Sequence, residues 1–209
     1  MPPIRDCLTR LLPLVPGCPA PVAENHLRLA AIEFCRRTLA WVEVQDAETL
    51  QSTDFPYEVA PYSRAKVVKV LSAAVDGVRM LEEITIRQAE RDSATWRTTM
   101  GSPLQFVEVP RGTVIAVPLP DLPVSFVFTV ALEPATDATD IPDEIWNEHQ
   151  TVLVSGAAAM LSVLPQTTWT SGEMFTLHST VFRNGIDDAK RNLHLHFSRP
   201  VLTTSPSPI

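Results

Sequence analysis

The spacing of apolar residues changes period twice along this chain of 209 residues, and that change limits the fold more than any other feature. From about Val22 to Val44, Leu27, Ala31, Phe34, Thr38 and Trp41 recur at helical spacing. Glu24, Arg28, Glu33, Arg36, Arg37 and Glu43 mostly take other faces, so the pattern predicts an amphipathic helix. From Tyr57 to Leu132 the pattern becomes strand-like. After Asp140 it is helical again. A chain that reads helix, sheet, helix is expected to be α+β. We expect a helical bundle formed by N- and C-terminal helices with an inserted antiparallel β-sheet or small barrel. The expected divisions are 1–50 for the first helices, 51–133 for the β insertion, 134–198 for the helices completing the bundle, and 199–209 for a loose Pro/Ser/Thr-rich arm.

Local signals fill in this outline. Residues 3–12 can form a short helix, with Ile4, Leu8, Leu11 and Leu12 on one side, before Pro13 to Pro21 break it. Ala65 to Val75 is rich in Val and runs directly into Asp76-Gly77, a hairpin signal because both residue types tolerate positive φ. Val78 to Leu81 and Glu83 to Arg87 would continue that ribbon, and Glu90 to Trp96 would hold a turn of helix. Leu104 to Val109 and Thr113 to Val117 read as strands joined at Arg111-Gly112. Pro118, Pro120 and Pro123 stiffen the link to Val124–Leu132, whose apolar residues on both faces predict a central strand. Asp140 is the expected N-cap of the next helix, with Pro142 in its first turn and Ile145, His149, Val152, Leu153, Gly156, Met160 and Leu164 on its apolar face. The small side chains from Gly156 to Ala159 would let another helix come close. Ser171 would cap a last helix carrying Phe175, His178, Phe182, Ile186, Ala189, Leu193 and His196. The residues expected in the core are Phe34, Trp41, Ile145, Leu153, Met160, Phe175 and Phe182.

Charge and cysteine content exclude several classes. The net charge is -7, which opposes wrapping nucleic acid by general attraction, since that requires many neutralised phosphates. Cys7, Cys18 and Cys35 are odd in number and form no CxxC, so neither a disulfide framework nor a zinc knuckle is supported. No apolar run approaches the ~20 residues that span a bilayer, and Pro13 and Pro16 interrupt any secretory-type stretch. The expectation is a chain without membrane contact.

No chemical site emerges from spacing. His178 shares its stripe with Phe175 and Phe182, which favours a core histidine with a hydrogen-bond partner. His194 and His196 point in different directions on a helix. Ser155 lies inside a helix and lacks the G-x-S-x-G elbow. Asp137, Asp140, Asp143, Glu144 and Glu148 form an acidic stretch, best read as a solvated helix start without calcium-loop spacing. There is no Gly-rich phosphate loop. Trp169, in a Thr-rich loop between two helices, reads as a plug over their junction or as an anchor at a protein interface.

Several segments, taken in order, resemble the head–tail adaptor proteins of tailed bacteriophages, also called head-to-tail connectors and including tail tubular protein A-like chains. They are Pro13–Trp41 with its AAIEFC core, Thr53–Val59 leading into VVKVLSAAVDG, Leu132–Trp146, the following helix ending SGAAAMLSVLP with the loop of Trp169, and the last helix FTLHSTVFRNGIDDAK with Phe182 and Gly185. The resemblance implies a structural virion protein at the capsid portal vertex, made in the host bacterial cytoplasm. It implies a homo-oligomeric ring of twelve copies, with the portal protein above and a tail, nozzle or stopper protein below. DNA would pass through the channel without sequence-specific binding. It implies no enzyme activity, no catalytic or metal-binding residues and no cofactor. On this reading the interface candidates are Trp169, the loops at Asp76 and Arg111, and the arm from Arg199 to Ile209. The rival expectations are a stopper, tail-completion or tail-tube component, a small hydrolase, and a DNA-binding packaging factor.

Overall fold

The computed structural model describes residues 1–61, 64–110 and 112–197, with side chains described as far as Asn192. Its elements are, in chain order, α1 (Ile4–Leu11), α2 (Ala20–Thr38), β1 (Val42–Val44), β2 (Glu48–Leu50), β3 (Tyr57–Glu58), β4 (Ala65–Val75), β5 (Arg79–Met80) and β6 (Glu82–Ile84). There follow α3 (Ile86–Asp92), β7 (Met100–Gly101), β8 (Gln105–Val109), β9 (Thr113–Val117), β10 (Leu119–Pro120), β11 (Val124–Pro134), α4 (Asp143–Ser162) and α5 (Gly172–Phe197). The protein is α+β.

The first correction concerns the end of α2. The apolar stripe continues to Trp41, but the helix stops at Thr38 because Leu39 turns left-handed, at φ 57°. Thr38 Oγ1 donates to Phe34 O at 2.7 Å and accepts from the Ala40 amide at 3.2 Å, closing the turn. Val42 to Val44 then pair with β11, Val42 opposite Ala131. A β partner ninety residues away thus overrides a helical spacing that is real only up to Thr38. Glu48–Leu50 also pairs with β11, so two strands lie in the stretch assigned to helices from sequence. Trp41 is nevertheless buried, held by the strand and the loop before it.

The main sheet has the order β1-β11-β4-β5, with β2 also on β11. β11 is central, as its two-faced apolar pattern requires. Phe126, Phe128 and Val130 meet Val75, Ala73 and Val70 of β4 along an antiparallel ladder with two bulges. At the end of β4 the Val78 amide donates to Val75 O, and Asp76 and Gly77 take φ of 53° and 67°. Two positive φ values match the right-handed twist of a tight hairpin. The second sheet, β3-β9-β8-β6, is antiparallel except for β6 on β8. A parallel pair, β10 with β7, lies beside it. A helix does lie in the inserted region, but α3 starts earlier than expected, taking Ile86 and Arg87 from the strand expected there and separating β6 from β7. Thr85 caps α3 by accepting from the Gln88 amide.

The antiparallel ladders leave one face of each sheet apolar, and these faces share a core with the helices. One continuous hydrophobic cluster holds Phe34 and Leu27 of α2, Phe126 and Phe128 of β11, Phe106 of β8, Leu153 and Leu161 of α4, and Phe182 and Ile186 of α5. β8 is buried on both sides. Phe106 enters this cluster, whereas Val107 enters a smaller one with Ile84, Ala89 and Trp96, roofed by the Arg97 guanidinium 4.6 Å above the Trp96 ring.

The packing of α4 on α5 follows from paired glycines. A Cβ on Gly156 would sit 2.7 Å from the Phe182 ring, and one on Gly185 would sit 2.4 Å from Val152. Each helix thus puts a large side chain over the other's glycine, in antiparallel register. The Ala30 methyl of α2 also closes on Gly156, at 3.1 Å. This realises the close approach expected from the small residues of α4. The N-terminus of α4 differs from expectation. Pro142 precedes the first turn and offers no side-chain cap, while Asp140 is drawn away to Arg64 and Thr139. Ser171 does cap α5, its Oγ accepting from the Met174 amide at 3.3 Å. Of the expected core residues, Phe34, Trp41, Ile145, Leu153 and Phe182 are buried, and Met160 is half-buried against the same cluster. Phe175 is 41% exposed. It lies in the first turn of α5.

Candidate functional site

A cleft of about 740 Å³ opens between the end of α2, the start of β4 and the segment after β3. Its polar wall is an ion pair that no local motif announces. Arg36, in the last turn of α2, donates from Nε and Nη2 to the two carboxylate oxygens of Glu133, both at 2.7 Å. Glu133 is buried on β11 and Arg36 is open to solvent. The fork geometry suits a carboxylate, and the pair ties the helix to the central strand. Glu133 raises the already high pKa of the guanidinium through this hydrogen bond. Glu58, Val59, Lys66 and Val67 complete the cleft. Within this wall the Glu133 carboxylate is fully engaged by the Arg36 fork. The two partners are 97 residues apart, so only the fold brings them together.

A second polar feature spans the two sheets. Glu108 of β8 reaches β4, where Oε1 accepts from the Val70 amide at 2.9 Å. Burial raises its pKa, the Val70 amide and Lys69 oppose that, and Glu83 adds to it. Lys69 itself is ion-paired with Glu83 at 3.3 Å. The carboxylate occupies an outward amide on the side of β4 away from β11. Together with the bulges and Lys69, it blunts a strand edge that would otherwise invite pairing.

The residues weighed for chemistry are placed as follows. His178 is buried between α5 and α4, with Nδ1 3.4 Å from Ser155 Oγ. Burial lowers its pKa, and Nε2 is enclosed with no hydrogen-bond partner among the described residues. Ser155 is 5% exposed in mid-helix. The structure joins a serine to a histidine at a buried contact between two helices. His149 packs its ring 4.7 Å from that of Phe34, and burial lowers its pKa against the pull of Glu148. The acidic stretch is dispersed. Asp140 pairs with Arg64, Asp143 with the Met1 amine at 2.7 Å, and Glu148 faces His149. Among the described residues no group of three or more His, Cys, Asp or Glu side chains is placed to hold a metal ion. The three cysteines are buried thiols, and burial pushes Cys7 up to about 11 and Cys35 up to about 12. No helix among the described residues is long and apolar enough to cross a membrane.

Of the interface candidates, Trp169 packs half-buried against the main cluster, and its indole N–H is enclosed without a described acceptor. Its loop meets the turn before α2, where Gly17 faces Thr168 Oγ1. Asp76 is exposed at the hairpin tip. Arg111, Arg199 and Ile209 lie outside the described residues. The fold brings no two of these candidates into one described contact.

Compared with models of known protein families the chain matches none, and a search of curated protein sequences also gives no match.

Proposed function

We propose that this protein is a structural component of a tailed-phage virion, a ring-forming head–tail adaptor that joins the portal to the tail and continues the DNA channel. The observation that carries the reading is the joint order of the segments from Pro13 to Lys190 that resemble such adaptors. An α+β protomer with a polar, ion-paired main cleft is compatible with a scaffolding role. Its mechanism is assembly. Copies meet head to tail through two unlike patches, so that the contact closes into a ring, and the ring docks on the portal. The net charge of -7 suits a lumen through which DNA moves without adhering. The protein works without catalytic residues, metal or cofactor.

The test is the copy number and axial position of this chain in intact particles, by electron cryomicroscopy with symmetry determined without imposition. Twelve copies in contact with the portal is the expected result. Six copies lower in the neck would replace the adaptor by a stopper or tail-completion role, and absence from particles would overturn the virion reading.

A further inference from the structure

We infer that Asp76-Gly77, at the tip of the hairpin between β4 and β5, is a site of spontaneous covalent modification where aspartate converts to isoaspartate through a cyclic imide. The Gly77 amide nitrogen attacks Asp76 Cγ. The N–Cγ bond forms, one Cγ–O bond breaks, and the oxygen leaves as water with the amide proton. Water then reopens the five-membered ring. Opening at Cγ restores aspartate. Opening at the main-chain carbonyl leaves the chain running through Cβ, with a free carboxylate on Cα. The reaction needs an Asp or Asn side chain, a following residue without a Cβ, and a peptide unit between them that can turn. Two places in the sequence have the residues, Asp76-Gly77 and Asn184-Gly185.

The fold leaves the first of them open. Asp76 is exposed. Its carboxylate makes no hydrogen bond or ion pair among the described residues, and the peptide unit joining it to Gly77 is hydrogen-bonded there through neither its C=O nor its N–H. Beyond its chain neighbours, no described atom lies within 4 Å of where a Cβ on Gly77 would stand. The hairpin is held on either side instead, by the Asp76 amide donating to Ser125 O at 2.8 Å and the Val78 amide to Val75 O at 3.2 Å. Turning the peptide between these bonds breaks none of them and meets no packed neighbour.

The fold closes the second. In an unfolded chain Asn-Gly cyclises faster than Asp-Gly, because a carboxylate resists attack and a carboxamide does not. Asn184-Gly185 lies within α5, where each peptide unit is held in the ladder of bonds between residues four apart. Gly185 is also pressed against Val152, 2.4 Å from where a Cβ would stand. Turning that peptide would open the contact between α4 and α5. Folding therefore reverses the order of reactivity set by the residue types.

Isomerisation also alters the hairpin. A two-residue turn fixes the register of its strands, and the isoaspartyl linkage adds one carbon to the main chain at that turn. The pairs Ala74 with Met80 and Val75 with Arg79, and the bond from the Leu81 amide to Ala73 O, should be lost with it.

The experiment ages the full folded chain for weeks at physiological temperature and neutral pH, beside the same chain unfolded in guanidinium chloride and the folded variants Asp76→Glu and Asp76→Asn. Far-UV circular dichroism verifies that the variants are folded. Brief tryptic digestion releases residues 70–79 and 184–190, which are read by mass spectrometry and by endoproteinase Asp-N, an enzyme that cuts before aspartate but not before isoaspartate. In the folded wild type, peptide 70–79 should gain a second form of unchanged mass that resists Asp-N, while Asn184 keeps its amide. In the unfolded chain Asn184 should lose its amide first. Asp76→Glu, which would need a six-membered ring, should abolish the second form, and Asp76→Asn should convert faster, with the mass change of deamidation. Amide hydrogen exchange at Leu81 should rise in the converted molecules. Asp76 that persists in the folded wild type while converting in the unfolded chain would overturn the inference, as would deamidation of Asn184 ahead of Asp76 in the folded chain. Conversion without faster exchange at Leu81 would overturn the loss of register.

Discussion

Gly185 shows how strictly single positions are determined in the helical layer. An added methyl would stand 2.4 Å from Val152, closer than any real contact, and the α4–α5 spacing would have to yield. Gly185→Ala should destabilise the protein by about 1–2 kcal/mol, the overpacking cost exceeding the gain in helix propensity. Val152→Ala in the same chain should recover part of that loss. Urea unfolding of the two single variants and the double variant measures the coupling. Titrating residues give a second handle. Burial lowers the pKa of His178 and His149, so folding disfavours their charged forms. Their contribution to stability is present above the ordinary histidine value of 6.5 and is lost as pH falls below it. The melting temperature should drop between pH 7 and pH 5, and His178→Gln should reduce that drop. Glu108 slopes the other way. Its pKa is raised chiefly by burial, so its contribution is present below the ordinary glutamate value and lost as pH rises through the raised one. Glu108→Gln keeps a carbonyl for the Val70 amide. It should melt higher than wild type at pH 7, with the difference closing on acidification.

At the scale of elements, the sequence was most legible where neighbours along the chain decide the geometry. The hairpin at Asp76-Gly77 and the cap at Ser171 depend on residues within a few positions. The end of α2 was not legible in this way. Its stripe runs on in the sequence to Trp41, and the competing claim on Val42–Val44 comes from β11. Asp140 is a good N-cap by residue type, yet Arg64, 76 residues earlier, takes its carboxylate. The Arg36–Glu133 fork was invisible for the same reason, because its partners sit on different elements and neither belongs to a motif. Arg36→Ala would leave Glu133 buried without its cation. Because the guanidinium is solvent-exposed, we expect a loss of about 2 kcal/mol, below the usual cost of breaking a fully buried pair. Chemical denaturation of Arg36→Ala beside Glu133→Gln checks this, and the glutamine variant, which leaves no orphaned charge, should lose less.

At the scale of the molecule, one hydrophobic cluster runs from α1 through both sheets to α5. This cluster joins the helices to both sheets, so the two should unfold together. Tryptophan fluorescence and far-UV circular dichroism should give coincident single transitions. Two separate transitions would show that the helices and sheets are independent units. The proposed ring belongs to this scale as well.

By itself the sequence determined the α+β class, the central place of β11, the hairpin at the end of β4 and the small-residue contact on α4. Each of these follows from side-chain period or from the φ that a residue type allows, and both are local quantities. Tertiary structure alone decided where α2 yields to β1, which carboxylate Arg36 holds, how Ser155 comes to face His178, and which apolar residues of the β region are left outside the core. Those outcomes depend on competition between partners far apart in the chain. The energy of a distant contact enters only once the fold has brought its two sides together.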